Sequence, residues 1–162
     1  MEWAEVINNP FLRDLPFKIE LNKWGQILMS PASNRHGILQ SDAVYLLRSK
    51  LPGGVVIVEC SIQTSDGVKV ADVAWASDEF IQRNGDTTPY PEAPEICIEI
   101  VSPSNSPGEM EQKIELYLAK GAQEVWVCAE DGKVRCYEHR GRVEHSRLLG
   151  DSVSLGGAQR RG

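Results

Sequence analysis

Three charged side chains stand where folding alone does not call for charge: Asp72 within VKVADVAWAS, Glu99 within EICIEIVS, and Lys113 on the segment that follows. Glu99 lies among Ile96, Cys97, Ile98, Ile100 and Val101, a run apolar at successive positions, which is the pattern of a strand covered on both faces. A carboxylate there is costly unless a partner holds it. Two carboxylates on neighbouring strands suit a hard divalent ion such as Mg²⁺, which takes one or two protein carboxylates and completes its shell with water and substrate phosphate. An ammonium nearby would orient or help deprotonate an attacking water, or offset charge on a phosphate in the transition state. On the residues alone two other readings stand level with this one. Asp72 can be an ordinary structural acid, and Glu99 with Lys113 can be an ion pair without a catalytic role.

The elements that must position these groups are well signalled. After the Glu99 strand, Ser106 is placed to cap a helix that has Pro107 at its first position, acids in its first turns and Gly121 as its stop. Met110, Ile114, Tyr117 and Leu118 form its apolar stripe, with Lys113 at the edge beside Met110 and Tyr117, and Tyr117 reads as core. Upstream, VVIVECSIQT and VKVADVAWAS flank Asp66-Gly67, a hairpin signal. With those two as loop residues, Ser65 pairs with Val68, Ser61 faces Asp72 and Glu59 faces Ala74, so that Glu59, Ser61 and Asp72 share a face.

FKIELNKWGQILMSP alternates and turns near Gly25, predicting a further hairpin on which Lys18, Glu20 and Asn22 share the polar face. By this pattern Glu20 belongs to a solvated surface. HGILQSDAVYLLRSKLPGG predicts an amphipathic helix closed by Pro52 and Gly53. Residues 1–16 read as irregular with at most one helical turn, 78–94 as a helical turn and loop, and 124–148 as short strands with turns at Asp131-Gly132 and Arg140-Gly141. The end, 156–162, reads as a flexible tail.

No repeat or linker divides the chain of 162 residues, so one domain spanning 1–162 is expected. A net charge of −6 argues against a protein that coats nucleic acid, but not against an enzyme that gathers acids around a metal. The four cysteines form no CxxC pair and fall mostly in apolar runs, which predicts buried free thiols. No apolar run is long enough to span a membrane and no leader is evident, so a cytoplasmic protein without membrane contact is expected. Phosphate-loop, dinucleotide, GxSxG and HExxH motifs are absent, and the three histidines are scattered, as are the four tryptophans, which read as packing residues.

The order Asp72, Glu99 in IEIVSPSN, a helix with Lys113 and Tyr117 ending at Gly121, then EVWVC, resembles the Uma-two family of endonucleases, a branch of the PD-(D/E)XK nuclease superfamily. The likeness runs upstream through KIELNKWGQILMSP and His36-Gly37 and downstream into the last hairpins. It implies an α/β fold with a restriction-endonuclease-like core, a central mixed β-sheet flanked by α-helices. It further implies a Mg²⁺-dependent endonuclease, with Mn²⁺ as substitute, that hydrolyses phosphodiester bonds in nucleic acid, DNA being the expected substrate. Asp72 and Glu99 match the metal-binding acids, Lys113 the catalytic lysine and Glu20 a further acid of the site. The superfamily motif places its lysine two residues after the glutamate, where this chain has Val101, so the lysine matches only as one migrated to the next helix. Ala71 stands where the family has proline. His36, as a helix-end residue or phosphate contact, and Glu59, as a support for Asp72, are accessory candidates. A catalytically inactive scaffold for binding or assembly is the alternative, and a homodimer through a sheet edge or a helix is compatible with either.

Overall fold

The computed structural model describes residues 1–156, so the tail expected over 156–162 lies, beyond Gly156, outside the described residues. Within the segment expected to be irregular, Trp3–Asn8 forms a short helix, α1, whose Val6 is buried. The first alternating run makes the expected hairpin: β1 (Phe17–Leu21) pairs antiparallel with β2 (Ile27–Pro31) as a sheet of its own. Next comes α2 (Asn34–Lys50), capped by the Ser33 side chain accepting from the His36 N–H.

The long hairpin follows as β3 (Val55–Thr64) and β4 (Gly67–Ala76). Its register corrects the expected one, because Ser65 and Asp66 are the loop residues and Thr64 pairs with Gly67. The Thr64 hydroxyl causes this: it donates to the Gly67 carbonyl at 2.7 Å and accepts from the Asp66 N–H at 3.1 Å, closing the turn one residue early. Ser61 therefore faces Val70, Ile57 faces Ala74, and Glu59 stands across from Asp72 between the pairs Val58–Val73 and Cys60–Ala71.

After α3 (Asp78–Asn84), β5 (Ile96–Ile100) joins β4 antiparallel. A crossover through α4 (Pro107–Ala119), capped by Ser106 as expected, leads to β6 (Glu124–Cys128), which lies parallel to β5. The antiparallel strands β7 (Val134–Glu138) and β8 (Gly141–Val143) complete a six-stranded mixed sheet in the order β3-β4-β5-β6-β7-β8.

Both faces of this sheet are covered. Leu39, Ala43 and Leu47 of α2 pack on Val73, Ile96, Ile98 and Trp126, and Met110, Ile114 and Tyr117 of α4 pack on Cys97, Val125 and Val127. The apolar run around Glu99 is thus explained by helices on either side. All four cysteines are free and buried. No helix among the described residues is long and apolar enough to cross a membrane.

Candidate active site

The ladder between β4 and β5 ends at the pair Val73–Ile98. Carried one step further, the same antiparallel register sets Asp72 opposite Glu99, so the two acids are the first facing residues where the strands part. Asp72 occupies the gap: its Oδ2 accepts the Ile100 N–H at 2.7 Å, in place of a ladder bond. Both acids are 1% exposed.

The cations come from two other elements. Lys18 on β1 places its Nζ 3.1 Å from Asp72 Oδ1 and 3.0 Å from Glu99 Oε1. Lys113 on α4 lies 3.0 Å from the same Glu99 oxygen and 2.9 Å from Glu20 Oε2. Glu20 is buried, and its Oε2 also accepts the Val70 N–H at 2.7 Å. The Tyr117 hydroxyl donates to Glu99 Oε2 at 2.9 Å, and His36 Nε2 lies 3.3 Å from Asp72 Oδ1. Gln40 on α2 donates to both the Asp72 carbonyl and Glu59 Oε1, while Glu59 holds a left-handed φ of 53° in the middle of β3. A non-glycine residue is rarely found in that backbone region, and here it breaks the strand's regular alternation across from Asp72.

The structure thus brings together Asp72, Glu99, Lys113 and Glu20, with His36 joined through its ring and Glu59 through Gln40. Two members escape sequence reasoning. Lys18 has the signature of a solvated strand face, and only the docking of β1 beside β4 turns that face inward. Tyr117 reads as core, which it is, but its hydroxyl reaches the site. Helical spacing signals it, since Lys113 and Tyr117 are four residues apart on one stripe.

Charge balance governs the protonation states. Burial would raise Asp72, but Lys18, the His36 hydrogen bond and the Ile100 N–H outweigh it and hold the carboxyl well below the usual range. Burial opposes Glu20 in the same way, and Lys18, Lys113 and the Val70 N–H lower it. Glu99 goes the other way: burial, with Asp72 and Glu20 adding to it, prevails over Lys113 and Lys18 and raises its pKa. His36 is raised, chiefly by its hydrogen bond to Asp72.

The cluster opens into a cleft of about 260 Å³, lined also by Phe17, Pro31, Ser102 and Asn105. Hard oxygen donors from two strands already share one cation there, the Lys18 ammonium, which is the donor chemistry a Mg²⁺ or Mn²⁺ ion takes. Among the described residues no group of three or more Asp, Glu, His or Cys side chains is arranged to hold a metal. A metal at this place therefore rests on the Asp72 and Glu99 pair with water and substrate oxygens, and the donor set fits that arrangement.

A family model described as "Putative restriction endonuclease" matches residues 11–158. Among solved structures, a "putative nuclease belonging to DUF820" from Anabaena variabilis ATCC 29413 superposes with a TM-score of 0.64 at 23% identity, covering 74% of this chain and 71% of that one. That likeness carries the fold, the mixed sheet with helices on both faces. No curated protein matches the chain.

Proposed function

The chain belongs to the Uma2 family of restriction-endonuclease-like proteins, and on that premise we propose a Mg²⁺-dependent endonuclease that hydrolyses phosphodiester bonds in DNA. The observation that carries this reading is the pair Asp72 and Glu99, facing each other where β4 and β5 part and converging on one cation. When bound, the metal supplies Lewis acidity toward a phosphate oxygen and a favourable field for the attacking water. The protein's own groups do the rest. Asp72 is kept ionised and aimed by the Ile100 N–H on Oδ2, which leaves Oδ1, the oxygen Lys18 holds, to serve as the ligand. Lys113, clamped between Glu20 and Glu99 at the cleft, is placed to donate to the attacking water or to a phosphate oxygen that gains charge. His36 and Asn105 line the same cleft as donors for the phosphates of the strand being cut.

The test is cleavage of supercoiled plasmid with Mg²⁺ or Mn²⁺. Asp72→Ala and Glu99→Gln are expected to abolish it. Lys113→Ala is expected to lower the rate by about 10²–10³, the scale of one lost transition-state donor. Cleavage that survives all three substitutions sinks the assignment.

A second reading has an observation of its own. Asp72, Glu99 and Glu20 are each already bonded to an ammonium, as in a closed structural network, which is what an inactive binding scaffold would keep. Calorimetric titration with Mn²⁺ separates the two, because saturable binding lost in Asp72→Ala contradicts a purely structural network.

A further inference from the structure

We propose that Lys18 is a built-in placeholder for the divalent cation: its ammonium holds Asp72 and Glu99 together at the metal position and leaves that position when the ion binds. The inference rests on the metal-dependent reading above and adds a residue that no family motif on this chain assigns. Lys18 Nζ lies 3.1 Å from Asp72 Oδ1 and 3.0 Å from Glu99 Oε1, so it sits between the two oxygens assigned as ligands. Mg²⁺ binds such oxygens at about 2.0–2.1 Å. An ammonium and a dication cannot share that space, because both the contact distance and the like charges forbid it.

Charge points the same way. Glu20, Asp72 and Glu99 bring three negative charges, and Lys18 with Lys113 two positive ones, with His36 able to supply a third. A dication added to this set with nothing released leaves a buried excess of positive charge, which is costly. With His36 uncharged, exchange of Lys18 for the ion leaves three carboxylates against Lys113 and the dication, which is neutral. In the absence of metal the placeholder is needed, since two facing buried carboxylates repel and one of them would take up a proton or turn away.

The two lysines are not equivalent in this respect. Lys113 bonds Glu20 and Glu99 but not Asp72, so it flanks the metal position without filling it. Lys18 stands at the start of β1 with a side chain 11% exposed, and it lines the cleft. Its flexible stem can carry the ammonium out into that cleft, toward water or an arriving phosphate.

The test is Mn²⁺ affinity, measured calorimetrically on the full chain without nucleic acid, for wild type, Lys18→Met and Lys113→Met. Lys18→Met is expected to bind Mn²⁺ about tenfold or more tightly than wild type. Lys113→Met removes an equal charge from beside Glu99 but vacates no metal position, so its gain is expected to be clearly smaller. Binding found only in Lys18→Met supports the placeholder as well. Equal gains in the two variants reduce Lys18 to general electrostatics and overturn the proposal. Saturable binding in wild type that is unchanged or weaker in Lys18→Met overturns it too, while the metal reading stands. No saturable binding in any of the three folded proteins overturns the metal reading itself.

Should Lys18→Met fail to fold, wild type alone decides the question through the ¹⁵N signals of its lysine ammonium groups. Hydrogen-bonded, buried Lys18 and Lys113 should both be seen without metal. Saturating Mg²⁺ should remove or shift the Lys18 signal into the fast-exchanging surface class and leave Lys113 in place. Persistence of both signals unchanged at saturation overturns the exchange.

Discussion

At Glu99 a single buried carboxylate takes three donors, with both ammoniums on Oε1 and the Tyr117 hydroxyl on Oε2. Even so its pKa is raised, because burial and the neighbouring acids prevail. A carboxyl that binds its proton more tightly folded than unfolded contributes stability that is full below the unfolded value, about 4.3, and is lost as pH rises through the folded value. Tyr117 is one of the groups that limit this loss, since a hydrogen bond to the ionised form is stronger than one to the neutral form. Tyr117→Phe keeps the buried ring and removes only the donor. In metal-free protein it should cost about 1 kcal/mol near pH 4 and about 2 kcal/mol near pH 7, read from urea midpoints. A deficit that shrinks toward neutral pH would show that the hydroxyl does not serve the charged form.

At the scale of elements, the site depends on how the β1–β2 hairpin is seated, because β1 carries both Lys18 and Glu20. The seat is the turn of the long hairpin. Gly67 has φ 81°, and a Cβ there would collide with the carbonyl oxygens of Leu21 and Asn22. Asp66 beside it accepts the Lys23 N–H, the Lys69 ammonium and the Gln112 amide, tying the β1–β2 turn, β4 and α4 at one point. Gly67→Ala is therefore expected to destabilise by about 2–4 kcal/mol, from strain and collision together. Chemical denaturation reads the loss. This seat also marks where the sequence stopped being legible. α4 and β5 could be read residue by residue, since caps, apolar stripe and apolar run are local signals. The facing of Asp72 and Glu99 depends on a β4–β5 register that no local signal sets, and the order of the acids was readable only through the family resemblance. Lys18 was invisible because a strand's polar face looks the same whether it meets water or a buried cluster. The Thr64 hydroxyl, one side chain with two hydrogen bonds, is enough to move the long hairpin's loop by one position.

On the scale of the whole molecule, the α2 side of the sheet is closed by the chain's last described stretch, and a second buried acid does the closing. Glu124 is 1% exposed and is held by neutral donors alone: Trp126 Nε1 at 2.9 Å, Ser146 Oγ at 2.7 Å and the Leu148 N–H at 2.8 Å. It thereby pins residues 146–148 to β6, and the chain beyond delivers Val153 and Leu155 into the core beneath α2. The Leu155 N–H donates to the Gly132 carbonyl and the Gly156 N–H to Asp42 of α2, so helix, sheet and terminal stretch are bonded to one another. Because α2 also carries His36 and Gln40, loosening at Glu124 should be felt at Asp72, on a different part of the sheet. Glu124→Ala leaves two buried donors and one half-buried donor without their acceptor, and each buried one costs about 1–3 kcal/mol. A loss of about 3 kcal/mol or more is expected in urea unfolding. Hydrogen exchange supplies the sharper reading: amides of 146–155 and of α2 should speed up together if they open as one unit. Faster exchange confined to 146–155, with α2 protected as in wild type, would mean that the terminal stretch is an appendage and that the seat of His36 depends on the sheet alone.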